Sequence, residues 1–180
     1  ALNQAVKDGI IDNSPARFLS ITMQDTERAF LDLPELAKLE KTECKNQEIK
    51  RAFLFSCYTG LRLSDVINLR WKDISEEHIT LIQKKTKSMS TNKLLLKAKE
   101  LLGTRGSEGD KVFRLPERTW INKILKQWVS DAGINKDITF HSARHSFAML
   151  GLVEGNIDIY TLKGLMGHSS ISSTQTYAKM

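Results

Sequence analysis

Nine side chains draw attention for their chemistry. "TGLRLSD" carries Arg62 just past a glycine that ends a helical stretch. "FHSARHSF" puts His141, Arg144 and His145 within about one helical turn, and residues at i and i+3 share a face. "LMGHSS" holds His168, and Tyr177 follows nine residues later in "GHSSISSTQTYAKM". "LIQKKTKSMS" adds Lys84, Lys85 and Lys87 in one turn of polar sequence. Two planar guanidinium forks suit the oxygens of a phosphodiester, whose charge grows in the transition state. A histidine can take a proton and a lysine can give one to a leaving alkoxide. A tyrosine hydroxyl can be the nucleophile and form a covalent intermediate. Together these residues form a kit for phosphoryl transfer.

Each position also has an ordinary reading. Arg62 alone is a surface arginine. His168 beside a glycine is a structural histidine, and lysines at a hairpin tip are a solvated run. His141 and His145 at i, i+4 imitate half of a zinc-protease motif, but that motif needs Glu after the first histidine, and Ser142 stands there. His145 therefore reads as a buried, hydrogen-bonded helix residue, and no metal site is expected. It is the combination that points to chemistry.

The elements that must position these residues are mostly helical. "ALNQAVKDGI" ends a helix at Gly9, with a turn at Asn13-Ser14-Pro15. "LPELAKLEKTE" starts a helix with Pro34 in its first turn. "NQEIKRAFLFSCYTG" is an apolar-faced helix closed by Gly60, and Ser64 is placed to cap a short helix, "SDVINLRW". "HITLIQKK" and "TNKLLLKA" read as strands around the turn "TKSMS". "PERTWINKILKQWVSDAG" is a long amphipathic helix stopped by Gly133. Three more helices follow, in "HSARHSFAMLGLVEGN", "DIYTLKGLMGH" and "SSISSTQTYAKM". Phe140, Phe147, Leu150 and Leu152 hold the first of these against a core. The fold class is thus mainly α with one small antiparallel β-sheet (α+β).

The 180 residues suffice for one domain with a real core, and 41% hydrophobic with 27% charged content is that of a globular protein. No apolar run is long enough for a membrane helix. Cys44 and Cys57 make no metal motif or disulfide framework, so a reducing cytoplasm is the expected compartment. Both are expected on helices, Cys57 in the core. The net charge of +6 is uneven: residues 81–130 hold twelve lysines and arginines against four acids. That block is either a solvated surface or a footprint for a polyanion such as nucleic acid.

In order and spacing, these motifs resemble the tyrosine recombinases, or phage-type integrases, from about Leu33 to the last residue. "TGLRLSDVINLRW" is similar to their first arginine box, "QKKTK" to the lysine segment, "HSARHSFA" to the His-x-x-Arg box and "LMGHSSISSTQTYAKM" to the box that ends in the nucleophile. The flavour is that of integrases of conjugative transposons and related mobile elements. Ala143 stands where the family often has leucine, and "LLLKAKELL" where the strand often ends in Val-Pro-Leu.

The resemblance implies a recombinase catalytic core over residues 26–180, with 1–25 the tail of a preceding core-binding domain and its linker. It implies site-specific cleavage and rejoining of duplex DNA through a 3′-phosphotyrosyl link, without metal, ATP or another cofactor. The roles it implies are Tyr177 as nucleophile, Arg62 and Arg144 bracing the phosphate, and His168 bonding it. His141 assists removal of the tyrosine proton, and Lys85 acts as acid, with Lys84 and Lys87 as alternatives. A type IB topoisomerase would share this chemistry, but its boxes differ. The implied partner is double-stranded DNA, with a tetramer on DNA, a monomer without it, and no membrane. The implied location is the bacterial cytoplasm, at the nucleoid when acting. The family's chain usually continues past the tyrosine into a helix that docks on a neighbouring subunit; here Ala178, Lys179 and Met180 follow.

Overall fold

The centre of the molecule is the pairing of two helices, α3 (Gln47–Thr59) and α7 (Phe140–Val153). The computed structural model describes residues 2–15, 29–82, 89–168 and 170–178. Phe53 of α3 meets Phe140 of α7 edge-on, with ring centroids 5.7 Å apart, and Trp128 of α6 (Arg118–Asp131) from the other side at 6.0 Å. Such pairs add to the area that the rings bury. Ile121, Leu125 and Trp128 recur along one face of α6 and are fully buried, the helical spacing visible in the sequence.

Local signals set the helix ends. Asp32 caps α2 (Leu33–Lys41) in a capping box: its carboxylate accepts from the Glu35 amide at 2.8 Å and Glu35 accepts from the Asp32 amide at 3.0 Å. Gly60 closes α3 in the left-handed conformation, as Gly133 does after α6 and Gly167 after α8 (Ile159–Met166). Asp158 caps α8 through the amides of Tyr160 and Thr161, and its hydrogen bonds to Thr161 hold its carboxyl below the usual range. Cationic side chains satisfy several helix C-terminal carbonyls, which have no partner within their own helix. Lys50 donates to Glu40 and Thr42 at the end of α2. Arg51 donates to Leu101 and Leu102 beyond α5 (Leu96–Glu100).

The sheet is a single antiparallel pair among the described residues, β1 (His78–Ile82) with β2 (Met89–Lys93), in the register His78↔Lys93 to Ile82↔Met89. Ile79 buries itself in the core. Asn92 ties β2 to α8 by donating to the Leu165 carbonyl at 2.8 Å.

The structure corrects the sequence reading in three places. The second strand ends at Lys93, and "LLLKA" is not its continuation. Leu94 turns into the core, while Leu95 and Leu96 lie exposed at the start of α5. The reason is loss of pairing: β1 begins at His78, opposite Lys93, and the Leu94 amide bonds to the Glu77 carbonyl ahead of the strand. The short helix α4 (Leu63–Asn68) has Arg62, not Ser64, at its N-cap, and Trp71 falls in a separate 3₁₀ turn (Trp71–Asp73). Cys44 lies in the loop before α3, whereas Cys57 is buried within α3; both thiols are free. Burial pushes the pKa of both thiols up.

The remaining described helices are α1 (Leu2–Lys7), which ends before Gly9, and α9 (Ser172–Ala178). Helix α9 packs on α7 and α8. A small apolar cluster of Ala148, Met149, Leu162, Met166 and Tyr177 joins the three. No described helix is long and apolar enough to cross a membrane.

Candidate active site

Arg144 organises the site. Its side chain is 2% exposed, and its guanidinium donates to the Gly60 carbonyl at 2.6 Å and to the Met166 carbonyl at 2.5 Å. These are the C-cap of α3 and the last residue of α8, so one cation closes the ends of two helices while riding on a third. Two of its five N–H donors are thereby committed to the fold. Burial, and then repulsion from Arg62, lowers its pKa to about 10; Tyr177 and Asp65 act the other way. It is still a cation at neutral pH.

Arg62 sits half-buried at the N-cap of α4 and lies close enough to Arg144 for the two charges to repel. Gly60 makes this approach possible. Its φ is +69°, and a Cβ there would stand 2.5 Å from a ring carbon of Phe147, on the helix that bears Arg144. Ser56 donates to the Leu61 carbonyl at 2.7 Å and fixes the turn between Gly60 and Arg62. Two cations at close quarters are a cost that a bound anion offsets.

Tyr177 is 4% exposed, its ring seated in the small apolar cluster. Its hydroxyl lies 2.7 Å from Nδ1 of His145, which is itself 6% exposed. The His141 ring stands perpendicular to that of His145, with centroids 4.6 Å apart, and His141 is exposed. One turn before Tyr177, the buried Thr174 hydroxyl meets Nδ1 of His168 at 2.8 Å. Engagement of Nδ1 fixes the orientation of the imidazole and turns Nε2 the other way. Helix α9 is therefore fastened at two points one turn apart, to α7 and to the segment after α8.

Arg62, Arg144, Tyr177, His145 and His141 thus form one chain of neighbours, with His168 joined to α9 through Thr174. Lys84, Lys85 and Lys87 lie outside the described residues. Two further members escaped the sequence reading. Asp65, buried on α4, lies three residues after Arg62 and carries the charge that favours the Arg144 cation; its signal was an acid at i+3 from an arginine. Thr174 gave no signal beyond its place between His168 and Tyr177. Among the described residues, no group of three or more His, Cys, Asp or Glu could hold a metal ion.

The sequence matches the phage integrase family over residues 29–180, and the chain belongs to that family. It is 33% identical over 132 residues to the tyrosine recombinase XerC of Caldanaerobacter subterraneus, covering 66% of this chain and 37% of that protein. The fold is similar to that of a lambda integrase dimer bound to a COC′ core site, with a TM-score of 0.77 at 19% identity, over 97% of this chain and 68% of that one. It is also similar to the Tn1549 transposon integrase in complex with a circular intermediate DNA, with a TM-score of 0.71 at 19% identity, over 97% and 69%. The chain spans little more than a third of its XerC relative's length.

Proposed function

We propose that this chain is the catalytic part of a site-specific DNA recombinase, acting for a mobile element. The Tyr177 hydroxyl attacks a scissile phosphate in duplex DNA, forming a 3′-phosphotyrosyl link and freeing a 5′-hydroxyl. Arg62 and Arg144 brace the non-bridging oxygens, where each such donor contributes on the order of 100- to 1,000-fold in rate. His168, its Nδ1 held by Thr174, presents Nε2 to the phosphate. His141 assists the departure of the tyrosine proton. Lys85 protonates the 5′ oxygen, with Lys84 and Lys87 as alternatives in the same turn. The link conserves the energy of the broken bond, so rejoining needs neither ATP nor metal.

One observation carries this reading: Tyr177 is buried beside a buried arginine, its hydroxyl hydrogen-bonded to a histidine. A packing tyrosine also finds a partner for its hydroxyl, but it has no need of a buried arginine beside it. The folds of the lambda and Tn1549 integrases, both solved on DNA, support duplex DNA as the substrate. The XerC relative, a tyrosine recombinase, supports the reaction class. Exposed Lys93, Lys97, Lys111, Arg118, Lys123 and Lys126 supply cationic surface from the basic block. Assembly as a tetramer on DNA, a core-binding tail in residues 1–25, a catalytic unit over 26–180 and action at the bacterial nucleoid complete the proposal.

The test is incubation with a pool of nicked duplexes of randomised sequence, followed by denaturing electrophoresis. The proposal predicts a protein–DNA adduct that survives denaturation and disappears with Tyr177→Phe. Absence of any adduct, or an undiminished adduct with Tyr177→Phe, would overturn it.

A further inference from the structure

The residue that touches the Tyr177 hydroxyl is His145, not one of the six assigned above. We infer that His145 is the catalytic proton acceptor for Tyr177, an inference that rests on Tyr177 being the nucleophile.

The geometry is that of a proton path already made. Oη and Nδ1 are 2.7 Å apart, within the reach that general-base catalysis needs. Both residues are nearly excluded from water, so bulk water competes poorly for the phenolic proton. His145 sits in the middle of α7, which is fastened to the core by Phe140 and by Arg144, so the acceptor is held in place. With the proton on Nε2, the Nδ1 lone pair faces the hydroxyl. His141, one turn earlier, stands perpendicular against the same ring and orients it. The help that His141 gives to deprotonation therefore passes through His145.

The step balances. The O–H bond of Tyr177 breaks and its proton moves to His145 Nδ1, while an Oη electron pair forms the bond to phosphorus. The bond from phosphorus to the 5′ oxygen breaks, and that oxygen takes a proton from the lysine acid. In rejoining, the 5′-hydroxyl attacks phosphorus and passes its proton back to the lysine, while His145 returns its proton to the departing Tyr177.

The test uses a duplex recovered from the randomised pool and single-turnover adduct formation. His145→Asn keeps a polar atom near the position of Nδ1 but cannot accept a proton. Adduct formation should fall by roughly 100- to 10,000-fold, the usual contribution of a positioned base, with DNA binding retained. Replacing Tyr177 by a fluorinated tyrosine, a more acidic phenol, should restore much of the rate to His145→Asn. A His145→Asn rate within a few-fold of wild type would overturn the inference, and so would a slow variant that the acidic phenol does not help. If His145→Asn shows no cooperative melt, the ¹⁵N resonance of His145 Nδ1 is read instead: it should move on Tyr177→Phe, and an unmoved resonance overturns the contact. A wild-type chain that forms no adduct on any duplex points to failure of the functional reading itself.

Discussion

Arg144→Lys separates the two tasks that the structure gives one side chain. Two charge-assisted hydrogen bonds, at 2.6 and 2.5 Å, close the ends of α3 and α8. Each bond of this kind contributes about 1.5–3 kcal/mol. A lysine keeps the charge but offers a single ammonium on a stem of different reach. It cannot satisfy both carbonyls and also present a fork to a phosphate. Loss of one buried bond should cost about 1.5–3 kcal/mol. For a chain of this size that lowers Tm by roughly 3–12 °C. Adduct formation should fall further than stability alone explains, by about 100-fold or more, because the bidentate contact to the phosphate goes too. Melting by circular dichroism and single-turnover adduct formation measure the two effects separately. An unchanged Tm would refute the pinning role. A lowered Tm with near-normal cleavage would make Arg144 purely structural.

Lys85→Ala should be slow on ordinary DNA by roughly 100- to 10,000-fold and recover on DNA with sulfur at the 5′-bridging position, since a thiolate leaves without being protonated; a variant that stays inactive on the sulfur substrate would move the acid to Lys87 or Lys84. DNA affinity should fall steeply with salt, and replacing one exposed lysine of the basic block, such as Lys97→Gln, should reduce the logarithmic slope by about one; a flat salt curve would mean this face does not meet DNA. Gly60→Ala should lower both Tm and cleavage, because a Cβ at φ +69° would stand 2.5 Å from the Phe147 ring and force apart the helices that hold Arg62 and Arg144; unchanged melting and activity would show that the close approach is dispensable.

Most helices and several of their ends were legible in the sequence because their signals are local; the start and end of α4 were not. Gly60 and Gly133 stop helices where they were expected to, both with positive φ. Pro34 falls in the first turn of α2. The second strand was misread because apolar residues at 94–96 fit either state, and only the length of β1 decides where pairing stops. Of the site, the residue types and their order were readable, since each box is a short stretch. The joins between boxes were not. His145 reads as an ordinary core histidine until α9 folds back across 32 residues to place Tyr177 against it. The carbonyl anchors of Arg144 lie 84 residues before it and 22 after, and neither leaves a trace in side-chain pattern because the acceptors are backbone. Asp65 was passed over because an acid near an arginine usually marks a surface pair.

The central claim is that one oxygen, Tyr177 Oη, becomes covalently joined to DNA. The adduct from a nicked duplex, trimmed by nuclease and protease, can be sequenced by mass spectrometry. The account predicts a single nucleotide-bearing peptide, modified on Tyr177 through a 3′-phosphate. Modification of Tyr58, Tyr160 or a serine, or a linkage through a 5′-phosphate, would contradict it.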